Sequence, residues 1–178
     1  MSQYCVLAPG HPVHHSYHAE EYGFPQRDES VLFERLCLEI MQAGLSWELI
    51  LKRRAGMREA FAGFDVDQVA AMTAADETKL LANPAIIRNR LKVAAITENA
   101  RRIQALRDTH GGFARWLDSH HPKTKPDWIK LFKTRFKFTG GEIVGEFLMS
   151  LAYLPGAHAP TCPVHARIAL INPPWSWV

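Results

Sequence analysis

His158 and Cys162, in the stretch GAHAPTC near the end of the chain, stand four positions apart. An imidazole and a thiolate at that spacing can share a metal ion, but a closed structural zinc site takes four protein ligands, so the pair needs partners from elsewhere. Of the other two cysteines, Cys37 lies in the apolar run VLFERLCLEI and reads as a core thiol, while Cys5 lies near the opposite end of the chain. His11, His14 and His15 lie near Cys5, and His165 forms a second local pair in CPVH, so residue types alone leave the ligand set open. A second feature is Glu39, set in the apolar stretch CLEIMQAGLSW with Trp47 closing it. A buried carboxylate is costly unless it is paired, hydrogen-bonded or protonated. Periodicity alone therefore makes Glu39 a capping or ion-paired group at a helix surface, and Trp47 a core aromatic. A third feature is basic: Lys123, Lys125, Lys130, Lys133, Arg135 and Lys137 surround only Asp127 and precede Gly140 and Gly141. That run reads equally as a solvated face or as a surface for a phosphate backbone, with glycines allowing backbone N–H groups close to an anion.

The elements that must position these residues are helical. DESVLFERLCLEIMQAG has apolar Val31, Leu32, Leu36 and Ile40 at helical spacing, opens on capping residue types and closes at Gly44. Ser46 caps a following helix, and Asp65 with Gln68 and Thr73 with Asp76 resemble capping boxes that open two short ones. The longest helix is expected from a cap at Asn83, with Pro84 at its first position, to the glycine pair after His110. Phe113 to Leu117, Asp127 to Phe132 and Glu142 to Tyr153 continue the pattern, and strand-like alternation is scarce. The expected fold class is all-α. Proline, histidine and glycine enrich residues 8–25 and 154–178, two irregular ends that a metal would pin together, offsetting their ordering entropy.

Composition bounds the function. With 178 residues, 47% hydrophobic and 22% charged, the chain is an ordinary globular one rather than a disordered one. A net charge of +3 is compatible with nucleic acid without demanding it. No secretory pattern opens the sequence and no apolar run is long enough for a membrane span, so a cytoplasmic protein without a membrane partner is expected. Three cysteines make no disulfide framework.

CLEIMQAGLSW, preceded by YHAEEYGFP and followed by FDVDQVAAM, IIRNRLKVAAI, RFKFTGG and HAPTC, resembles the 3-methyladenine DNA glycosylase I family in order and spacing along essentially the whole chain. The resemblance implies a helix-hairpin-helix glycosylase fold: a single domain over residues 1–178, with two helical lobes and a base pocket between them. It implies one structural zinc ion held by Cys5, His18, His158 and Cys162, a closed shell that joins the two ends. It makes Glu39 the catalytic carboxylate and base acceptor, Trp47 the stacking surface and Tyr17 a further polar contact. Lys137, Thr139, Gly140 and Gly141 become the hairpin that grips DNA. The implied partner is double-stranded DNA with alkylated bases, acted on by a monomer.

The implied reaction suits these groups. Methylation at N3 makes adenine cationic, so the departing base becomes neutral and needs no protonation; an aromatic face with a carboxylate selects the positive charge of a flipped base. Related helix-hairpin-helix glycosylases place an aspartate after the hairpin helix, and none lies between Asp127 and the C-terminus, which agrees with a labile substrate. Three departures from the family pattern stand out. Leu7 replaces a tryptophan, His14 a tyrosine, and Glu142 and Glu146 enter a helix that commonly carries a tyrosine and a glutamine. They leave open a non-catalytic, zinc-stabilised damage-binding protein, or the same chemistry on another alkylated base such as 3-methylguanine.

Overall fold

The computed structural model describes residues 3–177, and among these no β-strand occurs. Ten α-helices follow in order: α1 Gln3–Leu7, α2 Glu29–Gln42, α3 Trp47–Ala60, α4 Val66–Ala70, α5 Ala74–Ala82, α6 Arg90–His110, α7 Phe113–His120, α8 Lys125–Arg135, α9 Gly141–Ser150 and α10 Pro163–Ala169. A π-helical turn, Tyr17–Glu21, lies between α1 and α2.

Helix α2 runs through the middle. Asp28 caps it by accepting the Val31 amide, and it packs against α3, α6, α7 and α9, so every residue from Leu32 to Met41 is buried. A helix covered on all sides has no polar face to spare, and three charged residues inside it need an account. Glu34 pairs with Arg54 at 2.9 Å and Arg58 at 3.3 Å, and Arg35 pairs with Glu21 at 3.0 Å. Glu39 pairs with nothing in that network. Around α2, Trp116, Trp128, Phe113, Phe132 and Phe147 are fully buried and meet edge-on or stacked, joining α7, α8 and α9 into the same core. Cys37 is a core thiol, its pKa pushed well up by burial.

Local caps follow the sequence closely. Ser46 accepts the Leu49 amide, Asp65 that of Gln68, and Thr73 with Asp76 forms a reciprocal box. The longest helix differs from expectation. Asn83 accepts the Ala85 amide at 2.8 Å in a tight turn, and residues 84–89 stay non-helical until Asn89 caps Arg90 through the Lys92 amide. The Asn83 side chain closes the turn after α5 instead of capping the long helix. Helix α9 ends at Ser150, before the expected Tyr153, because Ala152 adopts a left-handed φ of 63° that reverses the chain.

Lys92, buried near the start of α6, donates from Nζ to the carbonyls of Met41 at 2.8 Å and Ala43 at 2.6 Å, closing the C-terminus of α2. A cation there meets the negative end of the helix as well as its unpaired carbonyls. Lys92→Met should therefore cost about 1–3 kcal/mol, read as a melting temperature lower by roughly 4–10 °C for a chain of this size; an unchanged melting curve would show that solvent satisfies those carbonyls.

Candidate functional site

Glu39 projects from the buried helix α2 into a cavity of about 520 Å³, within the usual range of small-molecule sites. Trp47, at the start of α3, and Tyr17, from the π-turn, line it with Glu39, and the two rings meet edge-on with centroids 5.0 Å apart. Tyr4, Tyr22 and His14 complete an aromatic wall. The surface ion pair expected for Glu39 from periodicity is not what the structure holds. The residue is only 4% exposed and takes no hydrogen bond from any of the described residues; burial, and secondarily Glu146, hold its pKa well above the usual carboxylate range against the opposing Arg35. Periodicity misled because α2 is covered on every side and so presents no polar face. Trp47 is half-buried at the cavity wall rather than enclosed in the core.

The neighbours of Glu39 are held firmly. The Arg35 guanidinium lies over the Tyr17 ring at 5.0 Å, donates to its hydroxyl at 3.3 Å and pairs with Glu21. Arg54 reaches Glu21 and Glu34 together, so the π-turn is tied to α2 and α3 by a charged network. Tyr17 faces the cavity, while His18, the next residue along the π-turn, points elsewhere.

His18 faces Cys162. The ligand atoms of Cys5, His18, His158 and Cys162 all lie within 4.8 Å of one another. Cys5 Sγ is 3.6 Å from His158 Nδ1, and Cys162 Sγ is 3.8 Å from both His18 Nε2 and His158 Nδ1. A tetrahedral zinc with Zn–S of about 2.3 Å and Zn–N of about 2.0–2.1 Å has S···N edges of roughly 3.5 Å, so this set fits with little adjustment. His158 Nε2 donates to the Tyr22 carbonyl at 2.7 Å, which fixes the tautomer that leaves Nδ1 free to ligate. Burial lowers the pKa of both histidines, favouring the neutral ligand form. The remaining histidines are occupied otherwise. His15 accepts the Gly10 amide, His165 stacks on Trp175, and His14 is not in solvent as its loop suggests but buried at the cavity wall. His11, His14 and Glu48 also converge, but His11 Nδ1 accepts the amides of Val13 and His14 and Glu48 pairs with Lys52 at 2.6 Å.

Helices α8 and α9 are joined by a short turn, residues 136–140. Its left-handed residue is Phe138, φ 58°, not a glycine. Gly140 has an ordinary φ of −74° and open space where a Cβ would stand, so its value lies in close approach rather than backbone freedom. Gly141 opens α9, where a Cβ would meet Ile129 at 3.3 Å. Lys137 is exposed, whereas Thr139 is buried, its hydroxyl turned onto the Phe136 carbonyl at 3.3 Å. Asn99 of α6 clamps the turn, accepting the Lys137 amide at 2.7 Å and donating to its carbonyl at 3.0 Å. A groove of about 600 Å³ runs from this turn to the α2–α3 connection, with Leu45 exposed at its edge.

A family model described as methyladenine glycosylase matches residues 7–139. The chain belongs to that family. It is 34% identical to a DNA-3-methyladenine glycosylase of Haemophilus influenzae over 92% of this chain and 98% of that one. It is 47% identical to DNA-3-methyladenine glycosylase 1 of Escherichia coli over 54% of this chain and 52% of that one. Among solved structures, 3-methyladenine DNA glycosylase I from Staphylococcus aureus superimposes with a TM-score of 0.82 at 32% identity, covering 91% of this chain and 96% of that one. A tyrosine-to-phenylalanine variant of a 3-methyladenine DNA glycosylase I, solved in complex with 3-methyladenine, superimposes with the same TM-score of 0.82 at 31% identity over 91% of this chain and 97% of that one.

In this methyladenine glycosylase the residues that sequence reading missed are those whose partners are distant in the chain. Tyr22 donates to Glu146 across 124 positions, Asn99 reaches the α8–α9 turn across 38, and Lys92 reaches the end of α2 across about fifty. Only Lys92 left a trace, as a lysine on the apolar face of its helix. No helix among the described residues is long and apolar enough to cross a membrane.

Proposed function

We propose that this protein excises 3-methyladenine from alkylated double-stranded DNA, leaving an abasic site. The observation that carries the reading is Glu39, a buried carboxyl without a protein partner at the wall of an aromatic cavity. Such a group is costly to keep unless a ligand completes it. A flipped adenine ring would lie in the cavity against the Trp47 and Tyr17 surfaces and offer its polar edge to Glu39. As the glycosidic bond breaks, its electron pair neutralises the cationic base, and water adds at C1′ with loss of a proton. No group here has to protonate the leaving base.

We read the chain as one catalytic domain of two helical lobes, acting as a monomer. The α8–α9 hairpin holds the DNA backbone: Gly140 lets phosphate near the first amides of α9, and Lys137 adds charge. Leu45 stands where an apolar side chain fills the space that a flipped base vacates. Thr139 serves the turn itself, through its hydroxyl on Phe136, and Glu142, in contact with Lys125 at 3.7 Å, moderates the positive surface. Gly140→Ala is expected to leave the melting temperature unchanged, since its Cβ position is open, yet to weaken DNA binding several-fold by holding phosphate off; loss of stability without loss of binding would contradict this.

Zinc is the ion we assign to Cys5, His18, His158 and Cys162; when bound it supplies a closed structural cross-link. Tyr4, Tyr17 and Ala157, chain neighbours of Cys5, His18 and His158, lie in the apolar cluster behind the base cavity, so the clip and the pocket share a wall. The reading is tested by chromatographic identification of the base released from methylated duplex DNA. 3-Methyladenine is expected, with no borohydride-trapped protein–DNA adduct, because no lysine lines the cavity. Release of a different alkylated base would revise the substrate, and a trapped adduct would overturn the monofunctional assignment.

A further inference from the structure

Glu146, on α9, is left unexplained by the account above. It lines both the base cavity and the groove that leads to the hairpin, as do Glu39, Gln42 and Ser46. It therefore stands at the seam where a flipped base would join its sugar. Its Oε2 accepts the Tyr22 hydroxyl at 2.8 Å, and Tyr22 is itself held by packing against Tyr4 and Tyr17. Glu39, facing the same cavity, is surrounded by Tyr4, Tyr17, Tyr22, Arg35 and Glu146 and receives no donor. Two carboxyls sharing one desolvated wall are costly, and burial, with Glu146 second, raises the pKa of Glu39.

We propose that Glu146 is a specificity-determining residue: its carboxylate, oriented by Tyr22, supplies the negative charge that selects a cationic base, while Glu39 supplies the hydrogen-bonding edge. The division of labour rests on the base-pocket reading, and deepens it by assigning charge selection to a residue where this chain departs from the pattern of its relatives. It accounts for the combination of a thinner aromatic wall, with Leu7 in place of a tryptophan and the smaller His14 ring in place of a tyrosine, and an added acidic group. Fewer ring faces weaken cation–π selection, and a fixed anion restores preference for the same charge.

The test uses two probes of nearly identical shape, the 3,9-dimethyladeninium cation and its neutral 3-deaza isostere, bound to the full-length protein and followed by Trp47-sensitive fluorescence. Wild type should prefer the cation. Glu146→Gln should reduce that preference about tenfold, the factor that one pKa unit of charge interaction represents, while affinity for the isostere changes less than about twofold. Glu146→Asp, which keeps the charge, should retain most of the preference, and circular dichroism checks that each variant folds. An unchanged cation-to-isostere ratio in Glu146→Gln, with both probes bound, would overturn the role of Glu146 alone. Wild-type protein that binds neither probe would overturn the base-pocket reading itself, and this one with it.

Discussion

Glu39→Gln is expected to cut 3-methyladenine release by roughly ten- to a hundredfold, the equivalent of the ~1.5–3 kcal/mol carried by a hydrogen bond to a charged partner, and at the same time to raise the melting temperature at neutral pH. Both halves follow from one geometry. Glu39 lies in a helix buried on all sides and takes no hydrogen bond from the protein, and burial with Glu146 raises its pKa well above the ordinary value of 4.5. Between that value and the raised one, the native state holds a proton that the unfolded chain has already lost. Stability therefore falls as pH rises through this window. Glutamine cannot ionise and removes the dependence. The two proteins should melt alike in acid, below the ordinary carboxylate range, and diverge with increasing pH, the variant being the more stable. A group retained at a cost to the fold is what a binding site requires. Equal melting curves across the whole range, or a variant that loses stability in parallel with activity, would assign Glu39 a structural role instead.

Removing the metal clip should have the largest effect on stability. Purified without chelator under reducing conditions, the protein is expected to carry about one zinc ion per chain, and Cys162→Ser to lose it. If the ion contributes even ~5 kcal/mol to the native state, the melting temperature falls by roughly 10–20 °C. The damage should not stop at the termini. Tyr4 and Tyr17 sit beside the proposed ligands Cys5 and His18 and line the cavity proposed for the base, so binding of the free base should weaken before global unfolding does. Metal content near zero in active wild-type protein would defeat the four-ligand assignment, and a Cys162→Ser protein with unaltered base affinity would uncouple the clip from the pocket.

What could be read in the sequence was mostly local. The caps at Asp28, Ser46, Asp65 and Thr73 depend on residues three positions apart, and each stands where its neighbours indicated. The start of α6 was misplaced because Asn83 and Asn89 offer the same chemistry, and only the turn after α5 decides between them. His158 and Cys162 offered half of a candidate metal site through their spacing, whereas Cys5 and His18 join them across about 140 to 150 positions, a closeness that only likeness to a family suggested. Glu39 was ambiguous for a different reason. Amphipathic periodicity locates a helix face only when the helix has one exposed, and α2 has none. Glu146 stood out only as a departure from the family pattern, and its contact with Tyr22 is made by the fold rather than by any pattern along the chain.

The most direct test of the central claim is a single-turnover incubation of wild-type protein with methylated duplex DNA, with released bases identified by chromatography beside the Glu39→Gln variant. Selective release of 3-methyladenine by wild type, slowed at least about tenfold in the variant, is the predicted result. Tight binding of the methylated duplex with no base released would contradict it, and would make the protein a damage-recognition module rather than an enzyme.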